Sequence, residues 1–330
     1  MKKLIRKLVE AYGPSGHEGQ IRTLIDGIVR DKVEEIRTDA LGNLIALKKG
    51  ADAGKRVMVA AHMDEIGLVV THVDKKGFLR FGRVGGVFPA TLIGGRVRFA
   101  NDAIGVIGWE KWFHGTSLPA WEELFIDVGA TCPEDPPVGV GDIAAFVRPF
   151  ADLGERLVAK AMDDRIGCAV LIQALMEMNE PANDIYLVFT VQEELGTRGA
   201  MVSAFGVQPD IALAVDVTFV GDTPEAHPMA VALGDGPAIK VMDAGMISHP
   251  GVKNWMIDRA QTLEIKHQLE VLELGATDAR AMQVSRAGVP AGCISIPCRY
   301  VHTPSEMVDY GDVLGAVKLL VGLLSEEVAL

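Results

Sequence analysis

Apolar residues in the first dozen positions recur at helical spacing. Leu4, Ile5, Leu8 and Val9 fall on one side, with Arg6, Lys7 and Glu10 between them, which predicts an amphipathic helix over about 1–12. A second helix is predicted over about 17–31, after the break Gly13-Pro14-Ser15-Gly16, where Ser15 or Gly16 is placed to cap it. Strand-like VEEIRTD follows and turns at Gly42-Asn43 into LIALKK. The run VMVAA at 57–61 is apolar throughout, as a strand buried on both faces is, and it ends at His62.

The pattern then changes. From about 68 to 155, short runs rich in Val, Ile, Phe and Gly alternate with turn signals: FLRFGRV, RVRFA, AIGVIGW and IAAFVR. This predicts a small β domain of barrel or sandwich type. The aromatics and prolines of Trp109–Pro137 predict a long ordered loop. From 156 onward, longer elements return. DRIGCAVLIQALMEM, GTRGAMVSAF, KNWMIDRAQTLEIKHQL, TDARAMQVSRAG and DVLGAVKLLVGLLSEEV read as helices; DIYLVFTV, DIALAVDVT and AGCISIP read as buried strands. Alternating strands and helices predict an α/β sandwich built from 1–67 and 156–330, with 68–155 looped out as an inserted β-rich domain.

Composition narrows the class. Hydrophobic residues make up 49% and charged residues 23% of 330, which suits a globular chain. No apolar run reaches the ~18 residues of a membrane span, and the opening MKKLIRKLVEAY is amphipathic rather than an unbroken signal-type core. Acidic residues (44) outnumber basic ones (32), and no basic stripe offers a nucleic-acid surface. Cys132, Cys168, Cys293 and Cys298 lack CxxC spacing and read as small buried hydrophobes of a cytoplasmic protein.

Charged residues gather where apolar strands end. His62 and Asp64 follow VMVAA, Glu193 and Glu194 follow YLVFTV, and Asp216 ends IALAV; Asp163-Asp164 and His302 complete the set. In an open α/β sheet, ligands collect beyond the carboxyl ends of the strands. Taken singly, each has a plain structural reading: a solvated glutamate pair, or an aspartate capping a helix. Together they require explanation, because carboxylates at the ends of buried strands must be paired or bound to cations. Imidazole and carboxylate donors without thiolate suit zinc, cobalt or manganese in a catalytic site. His62, Asp163, Glu194, Asp216 and His302 supply enough donors for two metals. Asp64 is placed to orient His62, and Glu193 is a candidate general base. The other histidines lack partner carboxylates in matching contexts.

These motifs carry a resemblance. YGPSGHE, TDALGNLIA, AHMDEIG, GGVFPATLIGGRVRF, FIDVGA, KAMDDRIG, VFTVQEELGTRGA, AVDVTFVGDTP, ATDARAMQVSRAGVPAG and RYVHTPSEMV together resemble the M42 metallo-aminopeptidases over essentially the whole chain. That family includes the TET and glutamyl aminopeptidases and proteins once labelled cellulase M. The resemblance implies a di-zinc exopeptidase fold with an inserted barrel-like domain and two divalent metal ions per subunit. It implies His62, Glu194, Asp216 and His302 as terminal ligands, Asp163 as the bridging carboxylate, Asp64 as the partner of His62, and Glu193 as the base. It further implies peptide substrates cut at a free N-terminus, a dimer made through the β domain, and a tetrahedral dodecamer. The stretch WEKWFHGTSLPAWEEL departs from the family pattern, which bears on loop length and assembly contacts. The alternatives are an endoglucanase, an M20-like deacylase and a non-catalytic metal-binding protein. An endoglucanase needs two lone carboxylates beside an aromatic-lined cleft, whereas the aromatics here (6%) cluster in the insert. M20-type enzymes carry their accessory domain between the fourth and last ligands. Here it falls between His62 and Asp163. A non-catalytic relative would have lost Glu193 or a ligand, and none is missing.

Overall fold

The computed structural model describes residues 1–51, 54–110 and 118–328. The amino-terminal part runs α1 (Lys2–Glu10), α2 (Gly19–Val29), β1 (Glu35–Thr38), β2 (Leu44–Lys48) and β3 (Arg56–His62). Six strands follow: β4 (Gly67–Val73), β5 (Leu79–Val84), β6 (Arg96–Phe99), β7 (Ile104–Trp109), β8 (Leu124–Asp127) and β9 (Ile143–Phe146). Then come β10 (Ala151–Asp152), β11 (Arg156–Ala159), α3 (Met162–Glu177), β12 (Asp184–Thr190), α4 (Arg198–Val207), β13 (Ile211–Thr218) and β14 (Ala238–Met242). The chain ends with α5 (Pro250–Thr262), β15 (Gln268–Val271), α6 (Asp278–Gln283), β16 (Ala291–Arg299), β17 (Glu306–Asp309) and α7 (Tyr310–Leu324).

The large sheet has eleven strands, in the order β1-β2-β12-β3-β13-β16-β17-β11-β10, with β14 on β16 and β15 on β14. Its centre, β12-β3-β13-β16, is parallel. That is why these segments read as continuous apolar runs: helices cover both faces. Along β3 the two-residue period separates the cores. Val57, Val59 and Ala61 pack with α1, α2, α3, α5 and α7, while Met58 and Ala60 pack with Ala200 and Ala204 of α4 and Met282 of α6. The α3 helix is buried along nearly its whole length and is apolar on every side beyond its first turn.

Strands β4, β5, β8, β7, β6 and β9 close a barrel around its own core, which includes Leu68, Phe81, Phe99 and Ile126. The barrel strands span Gly67–Phe146, and Ala151–Asp152 already pairs in the large sheet. Three sequence readings need correction. The loop expected over Trp109–Pro137 contains β8, which closes the barrel between β5 and β7. The helix expected over KNWMIDRAQTLEIKHQL stops at Thr262. Glu264 takes a left-handed backbone (φ 51°), and Gln268–Val271 becomes a strand on the edge of β14. Strands β11 and β17 were not anticipated at all. Each has four residues, and pairing with each other and with β16 makes them strands. Part of the departure within WEKWFHGTSLPAWEEL, residues 111–117, lies outside the described residues.

A buried ion cluster ties the barrel's entry to the sheet. Glu65 accepts from Lys160 Nζ at 2.7 and 2.9 Å and from the Gly13 amide at 3.1 Å, and Arg165 Nη2 lies 3.5 Å away. All three charged side chains are buried. Glu65→Gln leaves two buried cations without their counter-charge. Its expected cost is about 3–5 kcal/mol, read by urea unfolding; a loss below ~1 kcal/mol would show that the cluster is dispensable.

Candidate active site

The parallel strands deliver the site. His62 is the last residue of β3, Asp216 lies near the end of β13, and Glu193 and Glu194 follow β12. Asp163 opens α3 after the left-handed Ala161, and the Asp163–Asp164 peptide is cis. His302, itself left-handed at φ 63°, sits in the turn between β16 and β17. A cavity of about 300 Å³ is lined by His62, Asp163, Glu193, Glu194, Asp216 and His302. All the predicted ligand and base residues therefore meet in one cleft.

The Asp163 carboxylate is divided between the two imidazoles. Oδ1 lies 2.9 Å from His62 Nε2, and Oδ2 lies 3.3 Å from His302 Nε2. Asp216 Oδ1 is 3.8 Å from His62 Nε2, and Glu194 Oε1 is 3.3 Å from His302 Nε2. Two donors bound to one tetrahedral ion lie about 3.4 Å apart, given metal–donor bonds of about 2.0–2.2 Å. The two distances to His302 match that spacing, and the two to His62 fall on either side of it. Glu194 Oε1 is buried and has no hydrogen-bond partner among the described residues, as suits an atom reserved for a cation.

Two metal-type groups emerge by distance alone: Asp163, Glu194 and His302, and His62, Asp164 and Asp216. In the second group, Asp164 is already engaged. Its Oδ2 accepts from the His62 amide at 3.2 Å and its Oδ1 from the Gly167 amide at 3.0 Å. Asp163 Oδ1 is also nearer the His62 ring, which favours Asp163 as the donor.

Asp64 is fully buried and holds the β12 end in place. It accepts from Ser15 Oγ at 2.6 Å and from the amides of Glu193 and Glu194 at 3.0 and 3.2 Å. Its carboxylate Oδ1 lies 3.6 Å from His62 Nδ1, whereas its own carbonyl oxygen lies 3.2 Å from that nitrogen. Asp64 therefore meets His62 through both its carbonyl and its carboxylate, and the glutamates through its carboxylate alone. The sequence reading gave it only the first partner and missed Ser15.

The cleft is crowded with buried acids. Burial and the carboxylates of Asp216, Asp278 and Glu194 push Glu193 well above the usual carboxylate range, against the pull of His62. Burial likewise raises Asp216 and Glu194. Asp278 is pushed up to about 6 by burial, opposed by its hydrogen bond from Thr190. Burial acts the same way on Asp163, but the hydrogen bonds from His302 and His62 outweigh it and hold that carboxyl low. Burial opposes charge on His302, and Glu194 and Asp163 overcome it to raise the imidazole to about 12. Such a surplus of acid calls for bound cations.

The barrel reaches this cleft. A side chain at Gly86 would put its Cβ 2.4 Å from His302 Nδ1, so only glycine leaves that imidazole its place.

The M42 glutamyl aminopeptidase family model matches residues 42–319. The chain belongs to the M42 peptidase family. A putative aminopeptidase of Acetivibrio thermocellus is 47% identical over 97% of each chain. Aminopeptidase APDkam598 of Desulfurococcus kamchatkensis is 41% identical, covers 98% of this chain and 94% of its own, and superposes with a TM-score of 0.94. The TET1 peptidase of Pyrococcus horikoshii can assemble into a tetrahedron or a large octahedral shell. It is 32% identical over 98% of this chain and 99% of its own, with a TM-score of 0.89. This M42 member is accordingly a hydrolase of the aminopeptidase class. Among its described residues no helix is long and apolar enough to cross a membrane.

Proposed function

We propose that this M42 aminopeptidase works with two divalent metal ions, zinc or else cobalt or manganese. His62, Asp163 and Asp216 would hold one, and Asp163, Glu194 and His302 the other. The observation that carries this reading is the division of the Asp163 carboxylate between two histidines, each with a second acid close by. When bound, such ions lower the pKa of water and polarise a peptide carbonyl.

The chain's own groups do the rest. Glu193 lines the same cleft and ligates neither ion in this reading, which leaves its carboxylate for the work of a base. It takes a proton from the attacking water and hands it to the leaving nitrogen as the C–N bond breaks. Asp64 keeps Glu193 and Glu194 in position through their amides. The carboxylate-rich cleft favours a protonated α-amine, so cleavage is restricted to the N-terminal residue of short peptides. Expected result: acetylating the N-terminus of a good peptide substrate abolishes turnover, measured by product release. Comparable rates on blocked and free peptides would sink exo-specificity.

We also propose that the chain dimerises through the barrel and builds a tetrahedral dodecamer, a reading supported by the assembly of the TET1 relative. Replacing 67–146 by a short linker is expected to reduce the number of subunits per particle seen by light scattering. The native subunit number in a folded variant would refute it. A cytoplasmic location is supported by four free cysteines, three of them buried.

A further inference from the structure

We infer that Glu306 is a positioning residue for the cleft, its one carboxylate fixing the backbone of both Asp163 and His302. The inference rests on the two-ion reading above. Glu306 Oε2 accepts from the Asp163 amide at 3.0 Å, and Oε1 accepts from the His302 amide at 2.9 Å. The side chain is buried, and among the described residues no lysine or arginine pairs with it. A buried carboxylate without a cationic partner is costly unless its oxygens are hydrogen-bonded, and here these two amides do that work.

The topology explains why one residue reaches both ligands. Glu306 opens β17, which lies between β16 and β11. It is in register with Ala159, the last residue of β11, just before the turn into Asp163. On the other side, the chain from β16 to β17 makes the turn that carries His302. Both turns hold non-glycine residues in left-handed conformations, Ala161 at φ 53° and His302 at φ 63°. Such backbones persist only when their surroundings hold them. Glu306 is the shared acceptor across the seam. Of the donors grouped as Asp163, Glu194 and His302, two hang from it; of His62, Asp163 and Asp216, only one does. Loss of Glu306 therefore weakens the two ion sites unequally.

The test uses the full-length chain stripped of metal and titrated with cobalt(II), following the visible absorption of the bound ion. Glu306→Gln keeps the size but turns an amide donor toward one backbone N–H; Glu306→Asp keeps the charge but is too short to reach both. If the first does not fold, the second decides the matter. Asp309→Asn, farther along the same strand and touching neither ligand amide, is the control. Expected result: wild type binds two ions in two steps, and each Glu306 variant weakens one step by about 10–100-fold. The other step changes far less, and the absorption band of the weakened site shifts. In Asp309→Asn both steps keep their wild-type affinity. Unchanged steps in the Glu306 variants, equal weakening of both, or the same pattern in Asp309→Asn would overturn the inference. A wild type that binds two ions but cleaves no free peptide sinks the aminopeptidase reading and leaves this inference standing. One that never binds a second ion sinks the two-ion site, and the inference with it.

Discussion

Glu193→Gln is expected to keep close to two metal ions per subunit and to lose roughly 10²–10⁴-fold in kcat, the usual contribution of general acid–base catalysis. Its neighbour should behave oppositely. Glu194 Oε1 is buried, lacks a hydrogen-bond partner among the described residues and faces His302 Nε2 at 3.3 Å, so Glu194→Gln removes an anionic donor and lowers metal occupancy first. High metal concentration should then restore part of its activity, whereas it cannot restore Glu193→Gln. Both amides donate to Asp64, which keeps the two backbones in place while the side chains take separate tasks. Elemental analysis beside kcat for the two variants separates the roles. Full occupancy in Glu194→Gln with metal loss in Glu193→Gln reverses the assignment.

Asp163→Asn is expected to be the most damaging change among the donors. One carboxylate faces both histidines, so its loss weakens both ion sites, and activity should fall to the background of the chelated enzyme. Asp216→Asn removes a donor near His62 only, and should leave about one ion per subunit bound with the Asp163–Glu194–His302 group intact. The measurement is metal content after dialysis against a weak chelator. If Asp163→Asn retains one ion tightly while Asp216→Asn loses both, the shared donor is Asp216 and not Asp163. Asp164→Asn is a useful companion. Its oxygens are already taken by the His62 and Gly167 amides, so it should act on stability more than on metal content.

The parallel core was legible in the chain because burial on both faces forces β3, β12, β13 and β16 to be almost wholly apolar. The polar residues that end such strands then stand out, which is how His62, Glu193, Glu194 and Asp216 were found. Asp163 was legible only as a member of a pattern of motifs, since it follows the four-residue β11, whereas His302 comes three residues after the apolar β16, as Glu193 does after β12. Glu306, Asp278 and Ser15 were invisible as site residues. Each acts through a hydrogen bond to a residue far along the chain, and sequence spacing carries no trace of that. The edge strands were missed for a related reason. A four-residue segment such as β17 has too little periodicity to declare itself, and pairing with neighbours decides its state.

By itself, the sequence determined the alternating α/β plan, the separate β-rich stretch and the set of acids and histidines available for chemistry, because hydrophobic period and strand-end polarity are local properties. Only the tertiary structure decided which carboxylate stands between the two histidines, that backbone amides occupy Asp164 while Glu194 Oε1 faces His302, and that Gly86 of the barrel must make room for His302. Those outcomes depend on distances of a few ångströms between segments more than a hundred residues apart, which are set by how the strands stack and the turns close.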